Sequence, residues 1–316
     1  MKQVIFSAIG EAMAELSPTG DGHYALGFAG DVFNTLVYAR KLAGAHWRCR
    51  LVSALGNDSM SAQFREVCDE LAVELDCPDI VDKSIGLYLI HTDASGERSF
   101  SYWRSDSAAR QTVNHLDDER RNRLEQSQLV LISGISLAIL DEPQRDRLLE
   151  LVNELRSKQI RVVFDPNYRP RLWQDVDTAK RWIGRFYDAA DILMIGLDEH
   201  DVLFGKTQPE ELLMEHRFKH AHEIVIKAGP QGVYARCENQ QVHRPLEPVA
   251  DVVDTTAAGD SFSAGWLVAR EHGLGVDDSA RFAAAVAAAV IGHRGAIVAD
   301  DCLPKLGDFL TYGQQP

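Results

Sequence analysis

Short apolar runs alternate with longer amphipathic stretches along most of the chain. Residues 4–9 read as a buried strand that stops at Gly10 and Glu11. Residues 49–55 read as another, stopping at Gly56-Asn57-Asp58, with a helix over about 61–71 behind it. From residue 116 onward the alternation is regular. Helices are predicted over about 117–125, 143–157, 177–187 and 209–218, and each precedes a compact apolar run, at 129–133, 160–164, 191–196 and 223–227. Uninterrupted apolar runs suit strands buried on both faces. Their alternation with helices implies right-handed crossovers in a mainly parallel sheet with helices on either side. Two short antiparallel strands, 233–237 and 241–245, and an alanine-rich helix over about 278–291 complete the pattern.

Two stretches do not fit that body. Residues 16–25 are polar and turn-rich around Pro18, Gly20 and Gly22. Residues 84–92 and 98–103 are rich in β-formers and bracket Asp93-Ala94-Ser95-Gly96-Glu97, which reads as the turn of a hairpin. Together they predict a small separate sheet, a lid formed by about 12–28 and 84–104. Tyr88, Tyr102 and Arg104 fall at alternating positions and can share one face. That face could bind an oxygenated, anionic molecule or pack the lid onto the body.

In a parallel sheet, ligands gather at the carboxyl ends of the strands. The loops there are Gly134-Ile135-Ser136, Asp165-Pro166-Asn167-Tyr168-Arg169, Gly196-Leu197-Asp198-Glu199 and Lys227-Ala228-Gly229-Pro230-Gln231-Gly232. Gly27-Phe28-Ala29-Gly30-Asp31 leads into a helix over about 32–42, with Asp31 and Asn34 in its first turn. Read alone, Asp31 is an N-cap and Asn34 a solvated side chain. The densest chemistry lies in Asp254-Thr255-Thr256-Ala257-Ala258-Gly259-Asp260-Ser261-Phe262, directly before an apolar helical run. Small residues at a helix start let backbone N–H groups converge on a phosphate or a developing anion. An acid at the mouth of such a pocket is suited to take a proton from a hydroxyl attacking phosphorus. The competing reading makes Asp260 or Ser261 a helix cap.

Composition narrows the class. The 316 residues carry a formal charge of −14, which disfavours nucleic-acid and anionic-membrane partners. Five cysteines, an odd number without a C-x-x-C pair, fit a reducing cytoplasm. The first residues do not read as a signal peptide, and no run is long enough for a membrane span. No P-loop is present, the first strand does not lead into G-x-G-x-x-G, and Gly134-Ile135-Ser136 is no nucleophile elbow. The His216–His220 spacing would put both on one helical face at the end of the predicted helix over 209–218, near His222. A solvated helix end accounts for them better than a metal.

The assembled residues resemble the ribokinase-like carbohydrate kinases, the PfkB family. Asp254 to Asp260 fits [DN]-[TS]-T-x-[AG]-G-D, and Ala29-Gly30-Asp31-Val32-Phe33-Asn34 matches the N-terminal signature with alanine for its first glycine. Within the family, Gly86-Leu87-Tyr88, Gly96-Glu97-Arg98-Ser99-Phe100, Tyr102-Trp103-Arg104, Ser133 to Leu140, Asn167 to Trp173 and Arg294-Gly295-Ala296-Ile297 resemble the branch that phosphorylates 2-keto-3-deoxygluconate. The resemblance implies one ribokinase-like domain over 1–316, a three-layer α/β fold with a mainly parallel central sheet and a β lid. It implies ATP and Mg²⁺, and transfer of the γ-phosphoryl group to the sugar 6-hydroxyl. Asp260 is then the base, with Ala257, Ala258 and Gly259 N–H groups stabilising charge. Gly30, Asp31, Asn34, Tyr88, Tyr102, Trp103, Arg104, Ile135 and Arg169 would line the sugar-acid site. Asn167, Tyr168, Arg169 and Lys227, Ala228, Gly229, Pro230, Gln231 and Gly232 would serve ATP, together with residues 257–260. Glu199 is implied near Mg²⁺, although Gly196 replaces the asparagine of the usual N-x-x-E. Asp254 is implied near a monovalent cation, and homo-oligomers through the lid are expected. The alternatives are a fructokinase or other sugar kinase of the family, and a non-catalytic sugar sensor.

Overall fold

The computed structural model describes residues 3–20, 22–92, 98–238 and 240–309. The predicted turn at 93–97 lies outside them. A nine-stranded sheet forms the body, in the order Gln240–Arg244, Val233–Cys237, Glu223–Lys227, Ile192–Gly196, Arg161–Asp165, Leu129–Ser133, Val4–Ile9, Trp47–Val52, Val73–Asp76. Pairing is parallel except for Val233–Cys237, which runs antiparallel to both its neighbours. Each central strand feeds two cores by alternation. Leu129 and Leu131 face one, Val130 and Ile132 the other, and Val163 and Phe164 divide in the same way. Helices Asp31–Ala43, Ala258–Glu271 and Val276–Ile291 fill the first core, and Glu142–Ser157 and Val176–Ala189 fill the second. These are the three predicted layers, and apolar residues on both strand faces are their physical origin.

The small sheet is a second unit of four strands, ordered His23–Ala29, Met13–Gly20, Gly86–Thr92, Arg98–Trp103. The turn-rich stretch 16–25 proves to be mostly strand. Its outer half is solvated, and its register is irregular between Pro18 and Gly20, so apolar periodicity is faint there.

Three loop and helix assignments change. The predicted helix over 209–218 is one turn, Pro209–Leu213, followed by a 3₁₀ turn His216–Phe218 that buries Phe218 edge-on to Tyr187 at 5.2 Å. His216 and His220 therefore do not share a helical face. Glycines Gly134 and Gly196 do not open loops; the helices Gly134–Ile139 and Leu197–Phe204 begin at once. Ser133 caps the first, its Oγ accepting from Ser136 N at 3.2 Å. A Cβ on Gly134 would lie 1.8 Å from the Pro166 carbonyl oxygen. Gly134→Ala is therefore expected to cost at least about 1–3 kcal/mol, read as a lower urea midpoint. An unchanged midpoint would mean that the 165–169 loop yields freely.

Candidate active site

Helix Ala258–Glu271 starts abruptly. Ala257 precedes it in the left-handed region, φ 60°, and no side chain caps it. Ala258 N donates to Thr255 O at 3.3 Å, and among the described residues the N–H groups of Gly259 and Asp260 behind it are left for a ligand. Both cap readings fail here. Asp260 lies inside the first turn, and Ser261 Oγ donates back to Ala258 O at 3.1 Å. Asp260 is held instead by the other end of the chain. Asn34 Nδ2 donates to Asp260 Oδ2 at 2.8 Å, and Asn34 is buried. Its helix begins at Asp31 with Gly30 as N-cap, so Asp31 is not the cap and Asn34 is not solvated.

Asp260 opens into a cavity of about 720 Å³ at the carboxyl ends of the central strands. Gly30, Asp31, Asn34, Ile135, Asn167, Arg169, Glu199, Lys227, Gly229 and Ala257 to Asp260 form its floor and walls. Met13, Tyr88, Phe100, Tyr102 and Arg104 cover it from the small sheet. Tyr88 and Tyr102 have ring centroids 6.0 Å apart, and the Tyr88 hydroxyl donates to Glu15.

Every basic side chain of this wall is paired with an acid of the same wall. Arg104 donates to Glu11, Arg169 Nη1 to Glu199 Oε1 at 2.7 Å, and Lys227 Nζ to Asp165 Oδ2 at 2.7 Å. Among the described residues, Asp31, Asp198 and Asp260 are acids without such a cation. Burial pushes the Asp260 carboxyl up to about 8. The charge of Asp31 adds to this, and Asn34 and Lys227 oppose it. Asp31 is raised too, by burial first, against hydrogen bonds from Ser133 and Asn167. Glu199 is raised by burial, with Arg169 opposing. Burial works to lower Lys227, but Asp165, Glu199 and Asp260 outweigh it and hold the ammonium above its ordinary range. A methyl on Gly259 would stand 3.5 Å from Lys227 Nζ, so that charge lies beside the open helix start. The arrangement provides N–H donors and a cation for a transferring phosphoryl group, next to a carboxyl poised to accept a proton.

The model of the pfkB family carbohydrate kinases matches residues 6–302. The chain belongs to that family. It is 38% identical over 302 residues to the 2-dehydro-3-deoxygluconokinase of Dickeya dadantii, covering 94% of this chain and 97% of that protein. Among solved structures, the 2-dehydro-3-deoxygluconokinase of Thermotoga maritima superposes with a TM-score of 0.80 at 19% identity, over 97% of this chain and 98% of that one. A fructokinase with bound ATP from Xylella fastidiosa gives 0.81 at 22% identity, over 98% and 97%. Both structures share the fold.

The kinase does not bring every expected residue into the cavity. Trp103 alternates away from Tyr102 onto the outer face of the small sheet, where it is exposed. Tyr168 is buried behind the wall, and Ala228, Pro230, Gln231 and Gly232 lie outside the lining. The Asp254 carboxylate is not part of the lining; it accepts from Thr256, which is, and from Gly295 N at 2.9 Å. The Gly196 departure has a steric reason. A Cβ there would approach Glu199 Oε2 to 3.0 Å, so glycine leaves room for Glu199 to fold back toward Arg169.

The sequence reading gave no site role to several residues of the kinase's cavity, among them Met13, Phe100 and Asp198 and the two acids that pair with its arginine and lysine, Glu11 and Asp165. Both sit at strand ends that the parallel-sheet rule had already singled out, and that rule was the signal available. Their partners, Arg104 and Lys227, lie 93 and 62 positions away. Among the described residues, no helix is long and apolar enough to cross a membrane.

Proposed function

We propose that the protein is a 2-keto-3-deoxygluconate kinase. It transfers the γ-phosphoryl group of ATP to the 6-hydroxyl, giving 2-keto-3-deoxy-6-phosphogluconate. The observation that carries this reading is one cavity with Asp260 at an open helix start on one side and Arg104 and Arg169 on the other. The Dickeya dadantii relative's name supports the choice of sugar acid. The hydroxyl oxygen attacks the γ-phosphorus, the bond from phosphorus to the ADP oxygen breaks, and the proton passes to Asp260. Gly30, Asp31 and Asn34 hold the sugar near that carboxylate. Tyr88 and Tyr102 stack over it, and Arg104 and Arg169 offer their remaining N–H groups to its carboxylate. Ala257 to Gly259 and Lys227 receive the phosphoryl oxygens, with Asn167 and Gly229 toward the nucleotide.

Mg²⁺ belongs to the same reading. Among the described residues no three His, Cys, Asp or Glu side chains form a metal cage. That agrees with an ion held mainly by phosphate and water, to which Glu199 would add a carboxylate. Bound with ATP, the ion neutralises phosphate charge. By the family resemblance, a monovalent cation would sit beside the buried Asp254 carboxylate. The chain acts as one kinase domain with the small sheet as its lid. Tyr24, Leu26 and Trp103 are exposed and form an outward apolar surface suited to pairing lids of two copies, which sedimentation would read. A coupled ATP assay across sugar acids and neutral sugars tests the function. The keto-deoxy acid is expected to give the highest kcat/KM, and faster turnover of fructose or ribose would refute the reading.

A further inference from the structure

Glu11 is a charged side chain only 2% exposed, at the end of the first strand. A carboxylate so deeply buried is costly unless it is paired and hydrogen-bonded. Its two oxygens accept from Arg104 Nη2 and from Ser107 Oγ. Ser107 in turn donates its N–H to Arg104 O at 3.3 Å, which fixes the backbone behind the arginine. The remaining passages between the two sheets also meet here. A Cβ on Gly86 would come within 2.7 Å of Glu11 Oε1, and one on Gly30 within 2.4 Å of Glu11 O. Glu11 thus sits where all four crossings between body and small sheet converge. Arg104 is not saturated by it. Its Nε is buried without an acceptor among the described residues, so the donors left for a ligand are those of the terminal nitrogens that Glu11 does not take.

We propose that Glu11 is a positioning residue for substrate selection: it clamps one edge of the Arg104 guanidinium so that the rest of the fork meets the carboxylate of the sugar acid. This rests on the sugar-acid reading above. An arginine has five donors in a rigid plane, so holding one edge orients the others. A fork fixed before binding loses less freedom when substrate arrives. Glu11 also cancels the charge of Arg104 in the empty cavity, so the site selects by the geometry of the fork as well as by charge.

The test is steady-state kinetics with 2-keto-3-deoxygluconate and with 3-deoxyfructose, which carries an alcohol in place of the carboxylate. Wild type, Glu11→Ala, Glu11→Gln, Arg104→Ala and the Glu11→Ala/Arg104→Ala double variant are compared, with thermal unfolding of each. Glu11→Ala is expected to raise KM for the acid about tenfold with kcat within about twofold, and to reduce the acid-to-neutral preference by the same factor. Glu11→Gln keeps one acceptor oxygen for Arg104 and can donate its amide N–H to the Ser107 hydroxyl, so it should recover part of the loss. The double variant should be no worse than Arg104→Ala, because Glu11 acts through Arg104. Unchanged KM in Glu11→Ala, or losses that multiply in the double variant, overturn the proposal. If Glu11→Ala does not fold, Glu11→Gln decides, since wild-type KM and preference there also overturn it. Wild type preferring 3-deoxyfructose refutes the substrate reading itself, a result seen without any variant, and the proposal falls with it.

Discussion

Asp260→Asn is expected to lower kcat by about 10²- to 10⁴-fold with little change in KM, while raising the thermal stability of the protein at neutral pH. Asparagine keeps the shape and can still accept the Asn34 hydrogen bond, which spans 2.8 Å in the wild type. It cannot take a proton from the attacking hydroxyl. The stability gain follows from linkage. Burial lifts the Asp260 carboxyl from 3.8 to about 8 in the folded protein. The native state then binds more protons than the unfolded chain between those values. The stabilising contribution of the protonated form is complete below pH 3.8 and is lost as pH rises toward about 8. The neutral amide of the variant escapes that loss, so its advantage should grow across this window. Melting temperature against pH for both proteins reads it. In the wild type, kcat/KM should climb with pH to an inflection near 8 as Asp260 loses its proton. A variant that keeps more than a tenth of wild-type kcat would mean that another group receives the proton.

Lys227→Met carries the second large effect, on folding and on chemistry together. Asp165 is buried, and its carboxylate accepts from Lys227 Nζ at 2.7 Å, Asn167 N at 3.2 Å and Ser263 Oγ at 3.3 Å. Removing the ammonium strands that charge and is expected to cost about 3–5 kcal/mol. It also removes the cation beside Gly259, for which a loss of about 10²- to 10³-fold in kcat is expected. The Asp165→Asn/Lys227→Met double variant separates the two. Its pair is neutral, so stability should largely return while kcat stays low. Recovery of both would assign Lys227 a purely structural role.

The strands at 129–133 and 223–227 were legible to the residue because each is a short apolar run bounded by turns and buried on both faces. Residues 16–25 were not, because they fall on two half-solvated strands, one of them containing Pro18 and Gly20, and carry no such run. Helix Leu197–Phe204 was missed because its glycine start resembles a loop, and the predicted helix over 209–218 was too long because Phe218 reaches its pocket only after the chain turns. In the site, local order was legible wherever the chemistry is contiguous. Small residues followed by Asp260 at a helix start describe an anion pocket with an acid, whatever surrounds them.

The sequence by itself therefore determined the alternating architecture, the helix start that can receive a phosphoryl group and the acid placed in its first turn. These depend on neighbours within a turn or a strand. Only the tertiary structure decided that Asp260 is gripped by Asn34 rather than capping its own helix, and that Arg104, Arg169 and Lys227 are each neutralised by an acid. It also turned Trp103 outward and brought Glu11 to the crossing of the two sheets. The physical reason is the same in each case. A charge is defined by what faces it, and here the facing groups lie 226, 93, 62 and 30 positions away, brought together by strand order that no local pattern encodes.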